Sequence, residues 1–230
     1  MLALKQALSL GKTFDEGIGW SPTDEASLEA WYQKGVGITL NGTDVDAWAD
    51  SSANGNTMRQ TTEVNQPAYT DGILTFDPDD TNFLQLSGAD ITLADAFTIG
   101  IRLNITAAGG VIVGDNTEDG ELIKVFSTTK ISVRIDNQTR VDIQLDAGSL
   151  LGSESYMVLI RQAPSDEMFL YWNGVKQADS ETMTGTANID SIGVRKEDLN
   201  PFDGTIREIQ IYNNTSDVLV NNVNNSLSHL

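Results

Sequence analysis

The sequence contains no cysteine. Disulfide frameworks, thiolate metal centres and cysteine nucleophiles are excluded together, so the fold must hold by packing and hydrogen bonding. Histidine is nearly as scarce, because the single His229 stands one residue from the C-terminus. A serine triad would have to place its base at a chain end, and a His-rich zinc site lacks ligands altogether. Basic residues are few as well: 14 Lys and Arg against 33 Asp and Glu leave a net charge of −19. That excludes nucleic-acid binding through a basic surface, which needs clustered cations on the phosphates. No stretch approaches the ~20 apolar residues of a membrane-spanning helix, so no membrane insertion is expected. The opening MLALKQALSLGKTFDEG breaks its Leu pairs with Lys5, Gln6 and Lys12, and it lacks the continuous apolar core of a secretion signal.

What is present is material for a core. Of the 230 residues 40% are hydrophobic and only 20% charged, closer to a folded domain than to an acidic solvating tail. From Ile73 onward the apolar period is two. Phe97-Thr98-Ile99-Gly100-Ile101-Arg102-Leu103-Asn104-Ile105 places five large apolar residues on one face and Thr, Gly, Arg and Asn on the other, the pattern of a half-buried antiparallel strand. Ile131 to Ile135 and Val141 to Leu145 repeat the alternation around a polar turn and predict a hairpin. Met168 to Trp172 and Val175 to Gln177 predict another, because Asn173-Gly174 between them suits a type I′ turn. A further strand pair is expected from Ile189 to Arg195 and Thr205 to Tyr212, turning at Phe202-Asp203-Gly204. Strands recur at short spacing without the long helices that parallel units need, so an all-β antiparallel sandwich follows. Short helices are expected after Ser21-Pro22, with Ser as cap and Asp24 and Glu25 in the first turn, and after Ser216-Asp217, where Val220, Val223 and Leu227 recur at helical spacing.

Residues 1–20 form a separate compositional zone, an extended arm ahead of a single domain over 21–230. Leu2, Leu4, Leu8 and Leu10 alternate with polar residues and are followed by Gly11, Gly17 and Gly19. Two readings stay open: a loose leader, or an arm whose leucines dock on a neighbouring subunit.

Three segments resemble the LamG-like jelly-roll domains of the concanavalin A-like lectin/glucanase superfamily, especially those of tailed-phage virion proteins. The first is Ser27 to Tyr32 followed by Val45 to Asn56, with its Trp-x-Asp-x-Ser-x-x-Gly-Asn loop. The second is Tyr156 to Gly174, ending in a Leu-Tyr-x-Asn-Gly hairpin, and the third is Ile192 to Arg195 with Phe202 to Asn213. The leader through Trp20-Ser21-Pro22-Thr23-Asp24-Glu25 is also similar to the start of structural proteins in marine myovirus-like phages. The resemblance implies a two-sheet jelly roll and a non-enzymatic virion structural protein, a decoration, neck or tail-fibre subunit present in many copies or as a homo-oligomer among other virion proteins. A carbohydrate-binding module contacting host-surface glycans is the alternative, since this fold serves both.

Candidate chemistry is sparse. Glycosidases of the superfamily carry paired acids at alternate positions of one strand, and no Glu-x-Asp-x-Glu or Glu-x-Asp-x-x-Glu run exists here, so no enzyme activity is expected. Asp77-Pro78-Asp79-Asp80 has the composition of a solvated turn. Asp115, Asn116, Glu118 and Asp119 supply oxygen ligands of the kind calcium takes, and the resemblance implies that some relatives hold calcium at the sandwich rim. Trp31 and Trp172 fall in strand patterns and are expected in the core. Trp48 and Tyr69, in irregular segments, are the aromatic candidates for stacking on a sugar.

Overall fold

A computed structural model describes residues 19–117, 120–136 and 138–230, with the side chains of residues 120 and 121 left aside. In chain order the strands are β1 (Leu28–Tyr32), β2 (Ile38–Asn41), β3 (Asp44–Trp48), β4 (Met58–Arg59), β5 (Ala68–Thr70), β6 (Ile73–Phe76), β7 (Leu84–Leu86), β8 (Ile91–Leu93), β9 (Phe97–Ile105), β10 (Val111–Asp115), β11 (Gly120–Ser127), β12 (Lys130–Val133), β13 (Val141–Gln144), β14 (Glu154–Gln162), β15 (Glu167–Trp172), β16 (Val175–Thr182), β17 (Ala187–Ile189), β18 (Ser191–Ile192) and β19 (Gly204–Tyr212). One α-helix, α1 (Asp217–Ser228), follows the last strand. Among the described residues no helix is long and apolar enough to cross a membrane.

The strands build an antiparallel sandwich. One sheet runs β1–β19–β9–β14–β15–β16, and the facing one runs β2–β3–β4–β7–β18–β10–β11–β12–β13. At one corner β5 pairs with both β3 and β6, and β6 pairs with the start of β19, so the ladder passes from sheet to sheet without a break. At another corner side chains do the closing: Asp179 Oδ2 accepts from Gln144 N at 2.7 Å, and Gln177 Oε1 accepts from Asp146 N at 2.8 Å. The amides of Gln144, at the end of β13, and of Asp146, just beyond it, thereby find acceptors, which blunts that end of the edge as a template for pairing with other chains.

The alternation read in Phe97–Ile105 is realised, with Phe97, Ile99, Ile101, Leu103 and Ile105 all in the core between the sheets. Asn173-Gly174 turns β15 into β16 with φ of 48° and 77°, the left-handed pair that a type I′ turn requires. The predicted pairing of Ile189–Arg195 with Thr205–Tyr212 does not form. Its first half supplies β18, which lies between β7 and β10, whereas β19 is flanked by β9 on one side and by β1 and β6 on the other. Phe202-Asp203-Gly204 is a crossover between the layers, which a turn signal cannot distinguish from a hairpin.

The outer face of the β19–β9–β14 sheet is covered by α1. Leu219, Val220, Val223 and Leu227 pack on Val158, Ile160 and Tyr212, with Trp20, Trp31, Tyr156, Phe169 and Tyr171 around them. Ser216 Oγ caps the helix by accepting from Leu219 N. The start at Ser21 is a single 3-10 turn, Pro22–Asp24, closed by a reciprocal capping box between Ser21 and Asp24.

Candidate functional site

Trp48, expected to face a ligand, is fully buried. It ends β3 inside the core, 5.5 Å from the ring of Tyr32, and donates its indole N–H to Gln33 O at 3.2 Å. Its sequence neighbourhood looked irregular because β3 is short and a loop follows at once. That loop has a structural task. Asp50 accepts from the backbone N–H of Trp31, Ser52 and Asn56, and Asn54 and Asn56 donate to the carbonyls of Leu28 and Glu29. The Trp-x-Asp-x-Ser-x-x-Gly-Asn motif thus ties the rim of β1. Tyr69 is half-buried on β5, packed against the core. Trp172 is in the core as expected, whereas Trp31 lies on the outer face beside α1 and donates to Glu208 Oε1 at 2.9 Å.

The loop proposed for calcium is seen only in part, since Glu118 and Asp119 lie outside the described residues. Asp115 is buried, and its Oδ1 accepts from Thr117 N and Oγ1 at 2.8 Å each. Asn116 donates its backbone N–H to Asp190 and its side-chain amide to Gln85 Oε1 and Asp198 Oδ1. Burial raises the Asp190 carboxyl above its usual value and the nearby Asp115 charge adds to this, while the bonds from Asn116 and Gln85 oppose it. A calcium ion asks for six to eight oxygens. These side-chain oxygens are engaged with each other, and among the described residues no group of three or more His, Cys, Asp or Glu is placed to hold a metal ion. Leu2, Leu4, Leu8 and Leu10, expected to dock on another subunit, also lie outside the described residues.

The structure does assemble a concave site that no single motif announced. A cleft of about 770 Å³ is lined by Asp44, Thr62, Glu63, Val64, Gln66, Ala68, Thr75, Asp77, Asp80 and Asn82. Its floor is the β5–β6 pair, where Ala68 lies opposite Thr75. Alternation on β5 turns Ala68 toward the cleft while Tyr69 packs inward. The two walls are the 3-10 turn Glu63–Asn65 and the turn through Asp77–Asn82. They are stitched together: Asn65 Nδ2 donates to the carbonyls of Asp80 and Thr81 at 3.1 and 3.2 Å, and Phe83 N donates to Asn65 O at 3.1 Å. Gln66 and Asn82 are 4% and 5% exposed and fixed in place. Gln66 donates to Gln60 O at 2.7 Å and accepts from Asn41; Asn82 accepts from Asp77 N at 2.9 Å and approaches Val64 O at 3.5 Å. The lining therefore offers carboxylate acceptors, hydroxyls, amides and the exposed aliphatic Val64, held on a rigid frame. In sequence only Asp77 to Asp80 stood out, and as a turn; the other lining residues, polar ones together with Val64 and Ala68, converge only when β3, β5 and β6 pair.

Solved structures of similar fold come from several contexts. Domain 4 of AbnA, a GH43 extracellular arabinanase from Geobacillus stearothermophilus solved in complex with arabinotriose, is 18% identical with a TM-score of 0.58, over 89% of this chain and 99% of that one. The binding domain of botulinum neurotoxin DC in complex with SialylT is 13% identical with a TM-score of 0.55, over 90% of this chain and 52% of that one. Trypanosoma rangeli sialidase is 15% identical with a TM-score of 0.54, over 89% of this chain and 33% of that one. At such identities the likeness is one of fold. No curated protein matches the sequence. Residues 78–217, more than half of the chain, match the Laminin_G_3 family model, and with the antiparallel sandwich described above this chain belongs to that family of the concanavalin A-like lectin/glucanases superfamily.

Proposed function

We propose that this chain is a non-catalytic glycan-binding module whose ligand site is the cleft between the Glu63–Asn65 and Asp77–Asn82 turns. The observation that carries the reading is the cleft's lining. A sugar presents hydroxyl donors and acceptors around its edge and C–H groups on its faces, and carboxylates, amides, Thr hydroxyls and Val64 complement both. The ligands named for the AbnA domain and the neurotoxin binding domain, arabinotriose and SialylT, support a saccharide as ligand class. Without an aromatic platform in the lining, affinity is expected near the millimolar scale, about −4 kcal/mol. The reading includes no hydrolysis, because the sequence has no Glu-x-Asp-x-Glu or Glu-x-Asp-x-x-Glu run of the kind that glycosidases of this fold use.

The setting we propose is a virion surface. It is supported by the similarity of Trp20 to Glu25 to the start of phage structural proteins.

The cleft is tested by titrating the purified chain with a panel of oligosaccharides while following backbone amide resonances. Saturable shifts should cluster at residues 62–82. The double substitution Ala68→Ile/Thr75→Ile puts β-branched residues, which suit a strand, on the cleft floor; it should abolish binding while leaving the melting temperature nearly unchanged. Shifts confined to another face would refute the assignment.

A further inference from the structure

We infer that the cleft selects uncharged glycans and rejects acidic ones such as sialylated or uronate-containing chains. The inference rests on the glycan-binding reading and adds the class of ligand.

Four carboxylates line the cleft, Asp44, Glu63, Asp77 and Asp80, and no Lys, Arg or His is among the described lining residues. Arg59, which lies across from Ala47 of β3, is paired with Asp46 at 3.5 Å. A sugar carboxylate entering here would meet like charges at short range with no partner to offset its desolvation. It would also approach against the field of a chain carrying −19. A neutral sugar meets the opposite situation. Its hydroxyls donate to carboxylate oxygens, and such charge-assisted hydrogen bonds are stronger than neutral ones.

The buried amides supply the complementary half. Each amide nitrogen carries two N–H groups, and among the described residues Gln66 Nε2 and Asn82 Nδ2 each give only one to the protein. Both residues are more than nine-tenths buried and both line the cleft. No acceptor for the second N–H of each is found among the described residues, and a sugar hydroxyl or ring oxygen reaching it from the cleft would satisfy it. Val64, 64% exposed, adds an apolar contact for a C–H face. A cation is the other occupant that four carboxylates could attract. Among the described residues, however, no three acids converge closely enough to hold a metal ion, and donor N–H groups in the same lining disfavour one.

The test uses matched saccharides with the full chain: lactose against 3′-sialyllactose, and arabinotriose and galactotriose against trigalacturonate, followed by amide shifts at residues 62–82. Binding of at least one neutral member, at least tenfold tighter than its acidic counterpart and insensitive to salt, is the expected result. Glu63→Lys/Asp80→Lys, at two exposed positions, should narrow that ratio at least tenfold without lowering the melting temperature. Equal or tighter binding of an acidic member by the wild type would overturn the selectivity and leave the glycan reading standing. A ratio unmoved by the two lysines would also overturn it, as would saturation of the cleft by spermidine with displacement of the sugar. No binding by any member would overturn the glycan reading itself.

Discussion

Arg161 shows how a charged residue inside the molecule is tolerated. Its side chain is fully buried on β14, and among the described residues its hydrogen-bond acceptors are all backbone carbonyls. It donates to the carbonyls of Asp95 and Gly185 at 2.7 Å each and of Leu93 at 3.2 Å, and its guanidinium lies 5.0 Å from the centre of the Phe97 ring. Burial lowers its pKa from the usual Arg value, opposed by the charges of Asp166, Asp95 and Asp136. The planar fork joins the segment leading into β9 to the segment leaving β16, a role the point charge of a Lys cannot fill. Arg161→Met should therefore destabilise the protein by about 3 kcal/mol, because several buried carbonyls lose their donor at once. Chemical denaturation checks this, and a loss under about 0.5 kcal/mol would show that water replaces the guanidinium. Trp48 teaches the reverse lesson. An aromatic residue next to a loop looked available to a ligand, yet its indole fills the core and its N–H has a carbonyl partner.

At the level of elements, α1 forms against its local preference. Asn221, Asn222, Asn224 and Asn225 are poor helix formers, but Leu219, Val220, Val223 and Leu227 share one buried face. Apolar burial on a sheet outweighs propensity in a short helix. Gly100 makes the approach possible. A Cβ at that position would lie 2.9 Å from Leu227 Cδ1 and closer still to Val223 Cγ1. The sequence pattern placed Gly100 on a polar, solvated face of β9; the structure covers that face with the helix. Gly100→Ala should cost about 1–3 kcal/mol through overpacking. Hydrogen exchange should show the loss as faster opening of α1, with the strands of the β10–β13 layer unaffected. Equal protection of α1 in both proteins would mean that the helix shifts sideways at no cost.

For the whole molecule, a net charge of −19 and a sandwich whose free corner is capped by Asp179 and Gln177 both oppose edge-to-edge association. Those properties suit a module displayed in many copies. If residues 2–18 attach it to a particle, deleting them should leave a domain with an unchanged melting temperature that is no longer incorporated into virions. Normal incorporation of the truncated chain, measured by mass spectrometry of purified particles, would refute attachment through that segment.

The sequence by itself determined the class of fold and much of its local geometry. Period-two alternation in Phe97–Ile105, the Asn173-Gly174 turn and the Ser21 and Ser216 caps are set by neighbours within a few residues, so a linear pattern contains them. The absence of cysteine and the single terminal histidine likewise narrowed the chemistry before any fold was known. Tertiary structure decided what depends on partners far along the chain. It put β18 and β19 in different sheets, turned Trp48 inward and Ala68 outward, and laid α1 over a face that looked solvated. It also brought Asp44, Glu63, Gln66, Thr75 and Asn82 to one cleft. Hydrogen-bond ladders between distant strands fix those placements, and nothing in the order of residues along the chain states which strands will meet.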